Sequence, residues 1–187
     1  MSWRFARADS AYTPQEEWSR LRRATYAALG ALVSFAVIGL LAELTHVTFL
    51  FPSLGPTFFL LFYVAMSRQA APRNVVCGQA IGVASGALAV FVVGLWGRPV
   101  DLTDISWRRY LAVLIAITLT VGVMIALGVE HGPAAATTLI VALGVLHTTT
   151  DLFAVVASVL VALVIAFVIN RAAGLPYPWW APRPQAS

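Results

Sequence analysis

The chain of 187 residues has little charge, no lysine and one cysteine. Charged residues make up 11% of it and hydrophobic residues 60%, whereas a soluble domain carries roughly 25% charged residues. This composition excludes a water-soluble globular protein. The single cysteine excludes an internal disulfide framework and a cysteine-rich zinc site. The positive charge comes from twelve arginines placed between apolar segments, a pattern that favours a membrane surface over a nucleic-acid partner.

Four apolar segments are each long enough to cross a membrane as a helix. They are residues 24–44, 75–96, 110–128 and 152–169. Two shorter segments, 54–66 and 133–146, would extend only about 20 Å as helices, less than a hydrocarbon core of about 30 Å. We call these predicted elements half-helices. The predicted fold class is therefore an all-α integral membrane protein with two repeats of long helix, Gly-Pro half-helix and long helix.

The chain divides into three predicted regions. Residues 1–23 form a polar leader without the apolar core of a signal peptide, which we expect at the cytoplasmic interface. Residues 24–170 form the transmembrane domain, with repeats at 24–96 and 104–170. Residues 171–187 form a tail rich in proline and tryptophan, which favours a membrane interface over a regular helix.

The order of elements recurs with an offset of 77 residues, which places Gly55-Pro56 on Gly132-Pro133. If each half-helix crosses with its extended lead-in, each repeat has three crossings and the second copy is inverted. If each half-helix dips in and returns, there are four spans. The first topology puts nine arginines inside and three outside, and the second ten and two. Arginine counting leaves the number of crossings open, but it predicts cytoplasmic termini in a bacterial inner membrane either way.

The two Gly-Pro pairs predict an anion-binding site. A helix that begins inside the membrane leaves unpaired N–H groups and a partial positive charge at its first turn. The predicted donors are the backbone amides of Thr57, Phe58, Ala134 and Ala135 and the hydroxyls of Ser53, Thr57 and Thr137. The full predicted anion-binding set is Ser53, Gly55, Pro56, Thr57, His131, Gly132, Pro133, Ala134 and Thr137. The alternative is that Gly-Pro only shapes two tight turns.

The secondary candidates are Arg73, Asn74, Gln79 and Glu130, and His131 has a further candidate role. His131 is a candidate to carry a proton or to offer a ring N–H to an anion, with Glu130 as its partner, although it also fits an ordinary loop histidine. Arg73 and Asn74 are candidates to draw anions toward a pore, although arginine at a helix end is more often a topology determinant. Gln79 is an amide well inside a long span, where it needs a partner from another helix or a ligand.

Gly78, Gly82 and Gly86 form two overlapping GxxxG patterns. They predict a tight helix crossing, either inside one protomer or between protomers of a homo-oligomer. The three histidines have no metal-ligand spacing, and neither a Ser-His-Asp set nor a carboxylate pair lies within the spans. We therefore expect neither an enzyme nor a bound metal or cofactor.

Three groups of residues resemble the motifs of the HPP integral membrane family, which is named for a His-Pro-Pro sequence. They are Pro52-Ser53-Leu54-Gly55-Pro56-Thr57, then Pro72-Arg73-Asn74-Val75 with Gly78-Gln79, and His131-Gly132-Pro133-Ala134-Ala135-Ala136-Thr137. The resemblance covers residues 24–170. This chain has Gly132 at the middle proline of the motif and Gln79 where the family usually has histidine. The resemblance implies four membrane-spanning helices and, because some members are linked to nitrite transport, nitrite or a similar small anion as substrate.

The predicted function is transport of a small monovalent anion, nitrite first, by a channel or a carrier. Amide and hydroxyl donors suit the acceptor oxygens of nitrite, and would suit formate, nitrate or chloride nearly as well. The predicted partners are this anion, the lipid bilayer and a second copy of the chain. The alternative is a non-transporting membrane scaffold or sensor, for which a dry, closed core is expected. A cation or proton pathway ranks third, because the spans contain few acidic residues.

Overall fold

A computed structural model describes residues 14–101 and 105–182, and within these ranges the chain is helical and contains no strand. The four long apolar helices are α1 (Arg20–Thr45), α3 (Pro72–Val92), α4 (Trp107–Ala126) and α6 (Thr149–Ala172). The two half-helices are α2 (Leu54–Tyr63) and α5 (Pro133–Leu143), and two short 3-10 helices cover Pro14–Glu17 and Arg68–Ala70. The predicted fold class is confirmed. The first part of the predicted leader, 1–13, and the end of the tail, 183–187, lie outside the described residues.

Side-chain caps fix where two of the long helices begin. The Ser19 side chain accepts a hydrogen bond from the backbone N–H of Arg22, so α1 starts before the predicted residue 24. Thr148 and Asp151 form a reciprocal capping box at the start of α6. Such caps satisfy amides that the first turn of a helix leaves without partners.

The two Gly-Pro pairs start their helices differently. Gly132 is the N-cap of α5 and Pro133 its first residue, as predicted. In contrast, α2 already begins at Leu54, so Gly55-Pro56 lies within its first turn. Proline is tolerated at both places because the first turn of a helix needs no amide hydrogen at that position.

The half-helix α2 packs antiparallel to α1. The ring of Phe62, near the end of α2, lies beside Gly30, where an added Cβ would sit 2.6 Å from the ring. Further along α1 and nearer the start of α2, the rings of Phe35 and Phe58 meet edge to face with their centroids 4.9 Å apart. Residues 46–53 therefore return along α1 before α2 begins.

The half-helix α5 packs parallel to α3, against its glycines. A Cβ added at Gly82 would lie 2.7 Å from the carbonyl oxygen of Ala134, and one added at Gly86 would lie 2.7 Å from Cβ of Val141. The close crossing predicted from the GxxxG patterns is thus between α3 and α5 of the same chain. Glycine is needed here because a backbone atom occupies the space that a side chain would fill.

Several helix ends meet on one face of the molecule. Near the start of α1, the hydroxyl of Tyr26 donates to Oδ1 of Asn170, near the end of α6, at 2.6 Å. Nδ2 of Asn170 donates to the carbonyl of Leu61, near the end of α2, at 3.1 Å. Arg73, at the start of α3, donates to the carbonyl of Gly128, just after α4, at 3.4 Å. We call this the terminal face, and the other end of the helices the opposite face.

Candidate functional site

Four of the predicted site residues meet where the two half-helices approach each other. They are Thr57 of α2, Gln79 of α3, His131 of the lead-in to α5, and Thr137 of α5. Each is at most 1% exposed. We call these four residues the polar cluster. Both halves of the chain contribute to it.

The carboxamide of Gln79 connects the polar cluster. Its Nε2 donates to Oγ1 of Thr57 at 3.3 Å and lies 3.3 Å from Nε2 of His131. Its Oε1 accepts a hydrogen bond from the hydroxyl of Thr137. A buried amide is costly unless its donors and acceptor are paired, and here the partners come from both half-helices.

The ring of His131 has a defined orientation. Its Nδ1 lies 2.9 Å from the carbonyl oxygen of Gln69, which can only accept, so Nδ1 carries the hydrogen. In the neutral ring Nε2 is then an acceptor, which matches the amide N–H of Gln79. Nε2 also lies 3.4 Å from Oγ1 of Thr57. The neutral ring therefore presents a lone pair to the centre of the polar cluster.

Gly78 allows His131 to reach α3. A Cβ added at Gly78 would lie 2.8 Å from Cβ of His131, which is closer than real Cβ contacts. We call Gly78, Gly82 and Gly86 the glycine stripe. Gly78 leaves space for His131, and Gly82 and Gly86 leave space for the backbone and side chains of α5.

The hydroxyl of Thr57 completes the hydrogen bonding of the polar cluster. It donates to the carbonyl oxygen of Ser53, one turn earlier, at 2.8 Å. Its oxygen remains free to accept from Gln79. Ser53 is itself 1% exposed, and its backbone carbonyl is the group that contacts the polar cluster. In this conformation the polar cluster is closed and internally paired.

The Gly-Pro residues themselves lie beside the polar cluster. Three of them, Pro56, Gly132 and Pro133, line a groove of about 420 Å³ between the half-helices, together with Phe59, Leu60, Gln69 and Ala136. A Cβ added at Gly55 would meet no atom within 4 Å. The groove is lined mainly by apolar residues, and none of the four residues of the polar cluster lines it.

The premise that the backbone donors are unpaired is wrong for three of the four, the amides of Thr57, Ala134 and Ala135, which are already paired within the chain. The hydrogen bonds run from Thr57 to Ser53 at 3.3 Å, from Ala134 to His131 at 3.1 Å and from Ala135 to Gly132 at 3.1 Å. The reason is that Ser53 and Gly132 have helical backbone angles, so the turn closes one step earlier than the Gly-Pro pairs suggest. The carbonyl of Ala134 is also used, because it accepts from Thr138 at 3.0 Å.

Three of the secondary candidates, Arg73, Asn74 and Glu130, form a separate group on the terminal face, whereas Gln79 belongs to the polar cluster. Nε of Arg73 donates to Oδ1 of Asn74 at 3.3 Å, and Nδ2 of Asn74 donates to the carbonyl of Arg68 at 2.8 Å. Glu130 forms an ion pair with Arg68 at 2.9 Å. The prediction that Glu130 pairs with His131 is therefore wrong, because an arginine on the neighbouring linker takes the carboxylate.

Two polar contacts had no signal in the sequence, one beside the polar cluster and one toward the opposite face. Gln69 lies in a linker and holds His131 through its backbone carbonyl, which any residue carries. Arg109 is 5% exposed, and its guanidinium donates to the carbonyls of Arg98 at 3.0 Å and Pro99 at 3.3 Å. Nothing in Trp107-Arg108-Arg109 distinguishes the buried arginine from its neighbour.

The polar cluster offers neutral groups: two hydroxyls, one carboxamide and one imidazole. Such groups stabilise a small ion by hydrogen bonds and dipoles, and their orientation decides its sign. Among the residues that the structure describes, no group of three His, Cys, Asp or Glu side chains is placed to hold a metal ion.

Four long apolar helices with polar side chains gathered between them define a helical integral membrane protein. A family model described as the HPP transmembrane region matches residues 16–178. The chain therefore belongs to the HPP family, and the match extends past both ends of the region that carries the sequence resemblance. No curated protein and no solved structure matches the chain.

Proposed function

We propose that this protein transports a small monovalent anion, with nitrite as the first candidate, through a site at the polar cluster. The observation that carries the proposal is the convergence of Thr57, Gln79, His131 and Thr137 from distant parts of the sequence. Buried polar groups within a membrane domain are costly and often mark a pathway for a polar substrate. Membership of the HPP family is consistent with transport.

The proposed topology is an inverted repeat with six crossings. The contacts support it, because α2 runs back toward the start of α1 and α5 runs alongside α3. In the first half the three elements then run away from, toward and away from the terminal face, and in the second half each direction is reversed. This arrangement brings broken segments together near the middle of many transporters.

The proposed orientation places the terminal face in the cytoplasm of a bacterial inner membrane. Six described arginines lie at helix ends or linkers of that face: Arg20, Arg22, Arg23, Arg68, Arg73 and Arg171. Three lie toward the opposite face: Arg98, Arg108 and Arg109. Arginine is enriched in cytoplasmic segments, which supports this orientation.

The proposed mechanism couples anion binding to a proton on His131. A proton added at Nε2 would face the N–H groups of Gln79, so the present pairing would break. The imidazolium would then offer an N–H to an anion, and the hydroxyl of Thr57 could turn from Ser53 toward the same ion. Hydrogen bonds between charged partners are the strong ones, so anion and proton would favour each other's binding.

The closed state of the polar cluster favours a second candidate function, a non-transporting membrane scaffold or sensor. A fully paired core with residues at most 1% exposed is what a protein without a transport pathway also requires. In either case we propose a homo-oligomer. The glycine stripe is occupied by α5, so the contact between copies would use other lipid-facing surfaces.

Uptake of nitrite and formate into liposomes that hold the purified protein tests the proposal, with a pH gradient applied or absent. The informative variant is His131→Asn, which keeps a donor for Gln69 but removes the ring nitrogen that faces Gln79. The matched control is His46→Asn, because the His46 side chain is exposed. The backbone of His46 is in the left-handed region with φ 55°, and asparagine tolerates this conformation.

We expect uptake above that of empty liposomes, stimulated by an inward proton gradient. H131N should lower it about tenfold, the effect of losing one good hydrogen bond to a charged group, and H46N should leave it unchanged. Equal uptake by H131N and the native protein would remove His131 from the mechanism. No uptake of any small anion would favour the scaffold or sensor.

A further inference from the structure

The polar cluster is covered on the terminal face by two segments that touch. One is the α2–α3 linker, residues 67–71, and the other is residues 128–132, which we call the strap. Four contacts join the strap to the linker and the adjoining start of α3. They are Arg68 with Glu130 at 2.9 Å, the Gln69 carbonyl with His131 at 2.9 Å, Gln69 Oε1 with the amide of Gly132 at 3.4 Å, and Arg73 with the Gly128 carbonyl at 3.4 Å.

The linker is anchored firmly on its other side. The hydroxyl of Tyr177 donates to the carbonyl of Ala70 at 2.6 Å, and Tyr177 is fully buried. Burial raises the pKa of Tyr177 above its ordinary value, so the hydroxyl keeps its proton as a donor. The amide of Arg73 donates to the carbonyl of Trp180 at 2.9 Å. The segment after α6 thus fixes the linker to the body of the protein.

Three of the four contacts between the strap and the linker with the start of α3 are exposed to water, whereas the contact of Tyr177 with the linker is buried. The side chains of Arg68 and Glu130 are 44% and 50% exposed, and an exposed ion pair contributes little stability. Gly128 has φ 62°, and a Cβ added there would meet no atom within 4 Å. The strap thus has a glycine, a conformationally permissive residue, at each end, Gly128 and Gly132. The space beside Gly128 is open.

We propose that the strap is the gate of the terminal face and that the Arg68–Glu130 ion pair is its latch. This inference rests on the proposed transport function. When the latch opens, the strap moves away from the fixed linker and His131 leaves the Gln69 carbonyl. Access to the polar cluster and release of the histidine ring are therefore one event, because His131 is part of the strap.

Thiol labelling tests the gate without measuring transport. In a Cys77→Ala background, Thr57→Cys places a reporter in the polar cluster of protein held in lipid nanodiscs. Thr137→Cys is a second reporter in case the first variant does not fold. The rate at which the reporter cysteine reacts with a membrane-impermeant maleimide is measured in three proteins. They are the protein with the intact latch, the Glu130→Gln variant and the charge exchange R68E/E130R. The matched control is Glu43→Gln, at the end of α1.

We expect E130Q to raise the labelling rate several-fold, the charge exchange to restore slow labelling, and E43Q to have no effect. Equal rates for E130Q and the intact latch would overturn the gate, as would a charge exchange that labels as fast as E130Q. Because labelling needs no substrate, anion uptake with latch-independent labelling would reject the gate alone. Latch-dependent labelling without uptake would support the gate and reject the transport function.

Discussion

The half-helices α2 and α5 both carry Gly-Pro near their first turn, yet they meet their neighbours with different atoms. On α2, aromatic rings make the contact, with Phe62 beside Gly30 and Phe58 against Phe35. On α5, the carbonyl of Ala134 faces Gly82 directly. A ring at the end of a side chain can turn when its surroundings change, whereas a backbone carbonyl moves only with its helix.

This difference teaches which side of the polar cluster is fixed. Thr137 belongs to α5, whose backbone lies directly against α3. Thr57 belongs to the segment packed through side chains. We therefore expect substitutions on the α3–α5 contact to disturb the fold more than equivalent ones on the α1–α2 contact.

The largest effect is expected for Gly82→Leu. The added side chain would collide with the Ala134 carbonyl, 2.7 Å from the first added atom, and force α5 away from α3. We expect a loss of about 3 kcal/mol or more, or failure to fold, as for severe overpacking. Thermal unfolding in detergent measures it. Gly122→Leu is the control, since a Cβ there meets nothing within 4 Å, and equal stability of both variants would contradict the account.

A smaller pair of changes compares the two contacts directly. Gly82→Ala should destabilise the protein by about 1 to 3 kcal/mol, because a backbone oxygen blocks the new methyl group. Gly30→Ala should cost less, because the obstacle is the ring of Phe62, 2.6 Å from the new atom. The midpoints of thermal unfolding give the order. If G30A lowers the unfolding midpoint more than G82A does, the ring of Phe62 is a more rigid obstacle than the Ala134 carbonyl. The proposed difference between the two contacts would then be wrong.

The smallest pair compares the two hydroxyls of the polar cluster. Thr137→Val leaves Gln79 Oε1 without its hydroxyl donor, and an unpaired buried acceptor costs about 1 to 3 kcal/mol. Thr57→Val should cost less, because Nε2 of Gln79 keeps His131 as a partner. Unfolding of both variants under the same conditions measures the difference. A larger loss of stability for T57V would contradict this order. It would mean that the hydrogen bond from the Thr57 hydroxyl to the Ser53 carbonyl contributes more than the one from Thr137 to Gln79.

The sequence predicts the element order and the members of the polar cluster well, because both depend on local signals. The length of an apolar run separates long helices from half-helices, and polar residues such as Gln79 stand out in an apolar span. The pairing of those residues depends on the path of the chain. Glu130 binds Arg68 and His131 binds a backbone carbonyl, and neither partner is visible in sequence spacing.

The amide prediction fails for a related reason. Gly-Pro marks a helix start, but the backbone angles at the N-cap residue of each half-helix decide which amides remain free. Helical angles at Ser53 and Gly132 close the first turn early. Side chains rather than amides therefore supply the polar groups of the candidate site.

The most direct test of the central claim is nitrite uptake into liposomes by T57V and T137V, with T120V as the matched control. Thr120 is equally buried but pairs with Thr138, outside the polar cluster. If both half-helices form the site, T57V and T137V should each lower uptake about tenfold, and T120V should match the native protein. Native uptake by both T57V and T137V would contradict the claim.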